Sequence, residues 1–182
     1  MKNLFLSLGL LLPLYSFAQD CTIPTKNDVF RIQEVVQVDS IKIDQLYRNG
    51  LLALTEMLNQ PEEHIEFNNW QEGIIYARFA TLVKHKRLLN EEDHYFYFSF
   101  RLEFKDQRYR TTIGYLEHVE RNNQTFIQSC PNLITEESCG NGLAGITKKE
   151  WNKLRCLALD GVKTFQEKFH QNLIDAYQNS DW

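Results

Sequence analysis

From Tyr95 to Phe104 the chain reads YFYFSFRLEF, and hydrophobicity alternates without a break. Phe96, Phe98, Phe100, Leu102 and Phe104 fall on one parity; Tyr95, Tyr97, Ser99, Arg101 and Glu103 fall on the other. A period of two is the signature of a strand, and so many large apolar side chains on one side demand a core to cover them. The opposite side carries tyrosines, a serine and charges, so it faces water, a ligand or a partner. Such a strand fits a one-faced antiparallel sheet with amphipathic elements laid over its apolar side.

The flanking segments extend this pattern. KDQR (105–108) reads as a two-residue turn centred on Asp106–Gln107. It places Phe104 opposite Tyr109, Leu102 opposite Thr111, Phe100 opposite Ile113 and Phe98 opposite Tyr115, so the apolar faces agree. The same register sets Glu103 against Arg110 as a favourable cross-strand pair, and Ser99 against Gly114. VFRIQEVVQV (29–38) alternates Phe30, Ile32, Val36 and Val38 against Arg31, Gln33 and Gln37, with Glu34 an exception on the apolar side. EHIEFNNW (63–70) and GIIYARFATLVKHK (73–86) supply two more strands. In the second, Ile75, Ala77, Phe79 and Val83 oppose Tyr76, Arg78, Ala80, Leu82 and Lys84. LLNEEDH (88–94) reads as a polar connection, and 120–146 as irregular.

Two segments change period. In 39–61, Ile43, Leu46, Tyr47, Leu54, Met57 and Leu58 form a helical stripe, Asp39 or Ser40 is the expected cap, and Pro61 follows the end. Gly50 lowers helix propensity there and marks close packing on the sheet. Thr147 with Glu150 forms a capping box. Trp151, Leu154, Ala158, Gly161, Val162, Phe165, Phe169, Leu173 and Ala176 follow at helical spacing to about Asn179, a helix of roughly 45 Å. Cys156 lies off that stripe, so its disulfide partner should come from an outer segment. The order is β-α-β-β-β-β-α: an α+β fold in which a five-stranded antiparallel sheet carries both helices on one face and the last strand lies beside the first.

Residues 1–18 combine Lys2, an apolar run from Leu4 to Tyr15, and small residues at Ser16 and Ala18, a secretory signal peptide cleaved after Ala18. Pro13 and Ser16 interrupt the run before it reaches membrane-spanning length. Asp20 before Cys21 is a poor fit to a lipoprotein site. An extended leader (19–27) then precedes a single α+β domain (28–182), whose 120–182 portion holds a cysteine-bearing loop and the long helix. The expected location is periplasmic or extracellular. The net charge is −4, one unit more negative without Lys2, which argues against nucleic-acid binding and a basic membrane patch. The four cysteines, Cys21, Cys130, Cys139 and Cys156, all follow the cleavage point, and an even count in an exported chain favours disulfides. With the leader beside the last strand, Cys21–Cys130 and Cys139–Cys156 are the expected pairs among three connectivities.

The segments IKIDQLYRNGLLAL, NNWQEGIIYARF and FRLEFKDQRYRTTI together resemble a family of exported bacterial domains of unknown function with a TATA-binding-protein-like fold. The resemblance runs from Ser40 to Val119, about half the mature chain. It implies that fold and an envelope or exported location, and brings no catalytic or cofactor residues. A fold name of this kind does not imply DNA binding. The stretch Cys130–Cys156 departs from the compact version of that domain.

The non-core side of the sheet gathers Arg31, Tyr76, Arg78, Tyr95, Tyr97, Ser99, Arg101 and Arg110. Such a surface suits an anionic ligand or a protein partner; the plainer alternative is a solvated face whose arginines pair with Glu103, Glu66 and Glu117. The phenylalanines of 96–104 facing Trp151, Phe165 and Phe169 read as core filling and not as a ligand cavity. The histidines His64, His85, His94, His118 and His170 lack metal-site spacing, and EEDH (91–94) reads as a wet loop. No metal, cofactor or catalytic residue is therefore expected, and no nucleophile elbow or phosphate loop is present. The Asn123 sequon is expected to be unmodified. The favoured function is a non-catalytic exported binding domain. Alternatives are a hydrolase using His64 or Glu66 at the same face, and an envelope assembly subunit associating through an edge strand.

Overall fold

The turn at Asp106–Gln107 connects the two strands at the middle of the sheet. The computed structural model describes residues 21–27, 29–58, 61–87, 90–122, 125–130 and 147–178. Its elements are β1 (Thr25–Lys26), β2 (Val29–Gln37), α1 (Ile43–Met57), α2 (Pro61–His64), β3 (Ile65–Asn69), β4 (Ile74–Arg87), β5 (Asn90–Lys105), β6 (Arg108–Asn122), β7 (Thr125–Cys130) and α3 (Lys148–Gln178). The strands form one sheet in the order β1-β2-β6-β5-β4-β3, with β7 also on β6; every pairing is antiparallel. The α+β class holds, and β6, the last of the five expected strands, lies against β2, the first. The signal-peptide segment, the Asn123 sequon and Cys139 lie outside the described residues.

Strand content exceeds the expectation. β7 occupies part of the segment read as irregular, and TFIQSC is rich in residues that favour extended backbone. It pairs with the distal end of β6, beyond the stretch Arg108–Gly114 that β2 lines. The polar 88–94 connection is mostly strand: β4 runs to Arg87 and β5 begins at Asn90, with Lys84 opposite Asp93. Opposite charges across a ladder stabilise it as apolar pairs do.

The hairpin register agrees with the sequence at Phe104–Tyr109, Glu103–Arg110, Leu102–Thr111, Phe100–Ile113 and Ser99–Gly114. It then slips. A bulge sets Tyr97 opposite Glu117, so Phe98 does not pair with Tyr115. Tyr115 adopts φ 48°, is 45 % exposed, and its insertion turns Leu116 and His118 into the core. One extra residue reverses the parity of all that follows.

Helix α1 is capped from afar. Lys42 occupies the N-cap position without a side-chain bond, and the Ile43 N–H donates instead to Asp106 Oδ1 at 3.0 Å. The turn is further tied by Gln107 N–H to Ile41 O (2.9 Å) and Val38 N–H to Gln107 O (2.8 Å). A carboxylate at the turn, where Asn-Gly chemistry is commoner, thus satisfies an orphan donor at a helix start. For α3 the expected capping box forms: Thr147 N–H donates to Glu150 Oε2 (2.8 Å) and Glu150 N–H to Thr147 Oγ1 (3.2 Å).

Both long helices cover the apolar face and touch each other. Phe165 packs against Phe79 with ring centroids 4.4 Å apart, and Phe169 meets Phe100 edge-on at 5.1 Å. The space between helix and sheet is filled by aromatic rings, as the sequence suggested. Gly73, at φ 65°, turns the chain from β3 into β4, where a Cβ would stand 2.9 Å from Phe104 O. Only glycine adopts that geometry cheaply.

Cys21 bonds to Cys156 on α3. This overturns both expected pairs, Cys21–Cys130 and Cys139–Cys156, since each needs one of these two sulfurs. The partner of Cys156 is indeed an outer segment, but that segment is the leader, whose Ile23 packs with Cys21 against the core. A crosslink spanning 135 residues restricts the unfolded chain and contributes about 2–5 kcal/mol.

Candidate functional site

The ladders align the far-face residues into rows. Arg31 lies opposite Gly114, Gly114 opposite Ser99, and Ser99 opposite Arg78. The next row runs Phe67, Tyr76, Arg101, Thr112 and Gln33, and Tyr97 and Tyr95 follow opposite Ala80 and Leu82. All eight sequence-selected residues therefore share this face, on β2, β4, β5 and β6. The arginines are exposed except Arg110, which with the tyrosines and Ser99 is half-buried. Val29, Phe67, Leu82 and Tyr115 add exposed apolar surface.

Its arginines fall into two groups. Glu103 holds two: Arg101 Nη2 at 3.3 Å on one carboxylate oxygen, and Arg110 Nε and Nη2 at 2.7 and 2.6 Å on the other. Arg78 lies over the Tyr115 ring, 5.1 Å from its centroid, a cation–π contact made possible by the bulge that brings Tyr115 to this side. Arg31 has no ion pair among the described residues. Between Arg31 and Arg78 the row holds only Gly114 and Ser99, whose hydroxyl donates to Gly114 O at 3.0 Å. The solvated-face alternative thus accounts for Arg101 and Arg110 through Glu103. At the hairpin end a shallow depression of about 250 Å³ is lined by Val35, Glu103, Lys105, Arg108, Tyr109 and Arg110.

On the covered side, two polar clusters went unforeseen. Glu34, the parity exception of β2, accepts from Gln166 Nε2 (2.7 Å) and His170 Nε2 (3.1 Å), and His170 Nδ1 accepts the Tyr109 hydroxyl at 2.6 Å. Gln166 also donates to Thr111 Oγ1 at 3.0 Å. Burial pushes the Tyr109 phenol well above its ordinary value, and Glu34 adds to the shift. The phenol is kept protonated, so this chain of bonds fastens α3 to the sheet and supplies no nucleophile.

The second cluster holds His85 of β4, Glu92 and His94 of β5, and His118 of β6. His85, His94 and His118 are 6, 0 and 2 % exposed. His94 Nδ1 and His118 Nε2 lie 2.9 Å apart, and His94 Nε2 lies 3.7 Å from Glu92 Oε2. Burial pushes His118 down to about 3, with His94 contributing; burial lowers His94 too, against the opposing pull of Glu92. The His118 ring is therefore neutral at pH 7. Linear spacing hides this group because its members meet across ladders: His85 faces Glu92, and the bulge turns His118 inward.

His64 stacks on Phe79 (5.9 Å) with Nδ1 3.1 Å from Arg78 O, and Glu66 is exposed. No helix among the described residues is long and apolar enough to cross a membrane.

The family model described as a domain of unknown function (DUF4468) with TBP-like fold matches residues 33–118, close to the resemblance expected over Ser40–Val119. The match ends within β6 and excludes β7 and α3. A TBP-like protein from Parabacteroides distasonis has a similar structure at 14 % identity and TM-score 0.57, over 87 % of this chain and 99 % of that one. A DUF4468 family protein from Bacteroides ovatus aligns at 13 % identity and TM-score 0.53, over 81 % and 90 % of the two chains. No curated protein matches the chain.

Proposed function

We propose that this chain, a TBP-like α+β protein similar to the DUF4468 domains, is an exported, non-catalytic binding module whose uncovered sheet face recognises an acidic protein surface. The observation that carries the reading is the row Arg31–Gly114–Ser99–Arg78, in which two arginines flank two small residues and neither is ion-paired to a carboxylate among the described residues. Lys84 lies on the same exposed face, and Val29, Phe67, Leu82 and Tyr115 supply apolar surface around the charges. Arginine and tyrosine amid apolar surface are the side chains that dominate protein–protein binding energy. Export is supported by the apolar N-terminal segment and by the Cys21–Cys156 bond, which suits an oxidising compartment.

The test is affinity capture from envelope and secreted fractions with the wild-type protein and the Arg31→Ala/Arg78→Ala variant. Both side chains are exposed, so the variant keeps its circular dichroism and melting temperature. Partners retained by the wild type should be lost from the variant; capture that survives the double change refutes the reading. The hairpin depression favours a second reading, a small anion held by Lys105 and Arg108. That activity would persist in the double variant and disappear in Arg108→Ala.

A further inference from the structure

We propose that His85, Glu92 and His94 form a binding site for one divalent transition-metal ion, zinc(II) by preference, with His118 orienting His94 from behind. The site lies on the helix-covered side of the sheet and is independent of the far-face reading.

The ligand atoms converge. One atom each from His85, Glu92 and His94 lies within 4.8 Å of the other two. Ligands of a tetrahedral zinc ion stand about 3.4 Å apart, given metal–ligand bonds near 2.1 Å. His94 Nε2 and Glu92 Oε2 are already 3.7 Å apart, and the Glu92 side chain, 31 % exposed, has room to turn inward. The backbone predisposes the arrangement: His85 and Glu92 are directly opposed on β4 and β5, and His94 follows Glu92 on the same face.

The nitrogens are also unspent. His85 Nδ1 and His94 Nε2 are buried and have no hydrogen-bond partner among the described residues. A buried polar atom left without a partner is costly, so one on each of these two histidines calls for an occupant. The pairing of His94 with His118 selects the tautomer: if His94 Nδ1–H donates to His118 Nε2, the His94 Nε2 lone pair points at the cluster. Metal-bound histidines are ordinarily fixed by such a bond at the second nitrogen. Two imidazoles and a carboxylate suit zinc or its first-row neighbours and not magnesium or calcium, which take oxygen ligands. Three protein ligands leave a fourth position for water or an anion.

The experiment is titration of the EDTA-stripped, buffer-exchanged protein with Zn²⁺ by calorimetry, and with Co²⁺ by visible absorption. The expected result is one ion per chain, ligand-field bands of four- or five-coordinate Co²⁺, and loss of those bands when Zn²⁺ is added. Trp151, whose ring lies 5.3 Å from His118, should be quenched by Co²⁺ at the same stoichiometry. Glu92→Gln, at the partly exposed edge of the cluster, should fold and weaken binding at least 100-fold, and His85→Gln with unchanged circular dichroism should weaken it as much. His118→Gln should weaken it about 10–100-fold, and His64→Gln should not change it. Absence of binding at 100 µM Zn²⁺, or wild-type affinity in both Glu92→Gln and His85→Gln, would overturn the proposal.

Discussion

Replacing Gly50 by alanine sets two effects of similar size against each other. In an exposed helix interior the change stabilises by about 1 kcal/mol, because glycine loses more backbone freedom on folding. Here Gly50 is buried in α1 against the Phe104 ring, and an added Cβ would overlap its Cζ and stand 2.8 Å from Cε1. Carbon atoms attract at about 3.5–4.0 Å, so the ring or the helix must shift. The ring has little freedom: Phe104 is 2 % exposed, edge-on to Tyr47 at 5.7 Å, and against Tyr109 at 6.3 Å. Overpacking of this kind costs about 1–3 kcal/mol. The balance is a net loss of about 1 kcal/mol, a fall of roughly 2–4 °C in Tm for a domain of this size. Urea denaturation followed by far-UV circular dichroism measures it. In a Phe104→Leu background the overlap is relieved, and Gly50→Ala should then become neutral or stabilising. If Gly50→Ala alone raises stability, or costs the same in both backgrounds, the contact with Phe104 is not what maintains the glycine.

Two further consequences concern polar contacts. Asp106→Ala removes the acceptor for the Ile43 N–H and should cost about 1 kcal/mol by chemical denaturation; an unchanged midpoint would show that water replaces the carboxylate without loss. The Tyr109 phenol holds its proton more tightly folded than unfolded, so above pH 10 the unfolded chain releases a proton that the native state keeps. Stability is therefore full below pH 10 and falls as pH rises beyond it, by about 1.4 kcal/mol at pH 11 from this group alone. Tyr109→Phe should be less stable than wild type at pH 8 by about 1 kcal/mol, having lost the bond to His170. Its deficit should shrink or vanish by pH 11; parallel stability curves from pH 8 to pH 11 would contradict the assignment.

The far face was legible in the sequence because the side-chain period of a strand is a local property. The alternation of 95–104 assigned Tyr95, Tyr97, Ser99 and Arg101 to one side, and parity within β2 and β4 did the same for Arg31, Tyr76 and Arg78. What that face presents was not legible. The Arg78–Tyr115 contact depends on the bulge, and the removal of Arg101 and Arg110 from play depends on both reaching one carboxylate, Glu103. The sequence expectation of no metal site rested on linear spacing, which cannot register His85 against Glu92 across a ladder or His118 turned inward by an inserted residue.

Local pattern in the chain did not suffice for β7 or the start of β5, but it did for the aromatic core face of β5, the hairpin at Asp106–Gln107, the Thr147–Glu150 cap, the buried stripe of α3 and the close packing at Gly50. These follow from strand and helix periods and from turn and cap chemistry acting between neighbours along the chain. Long-range packing set which cysteine meets Cys156, which residue caps α1, where β6 changes parity, and which polar side chains become neighbours in the core. Cys21 and Cys156 are 135 residues apart, and Ile43 and Asp106 are 63 apart. Partners so distant are chosen by how sheet and helices close around one core, because a side chain of the right chemistry is available at many positions but is brought within bonding distance at very few.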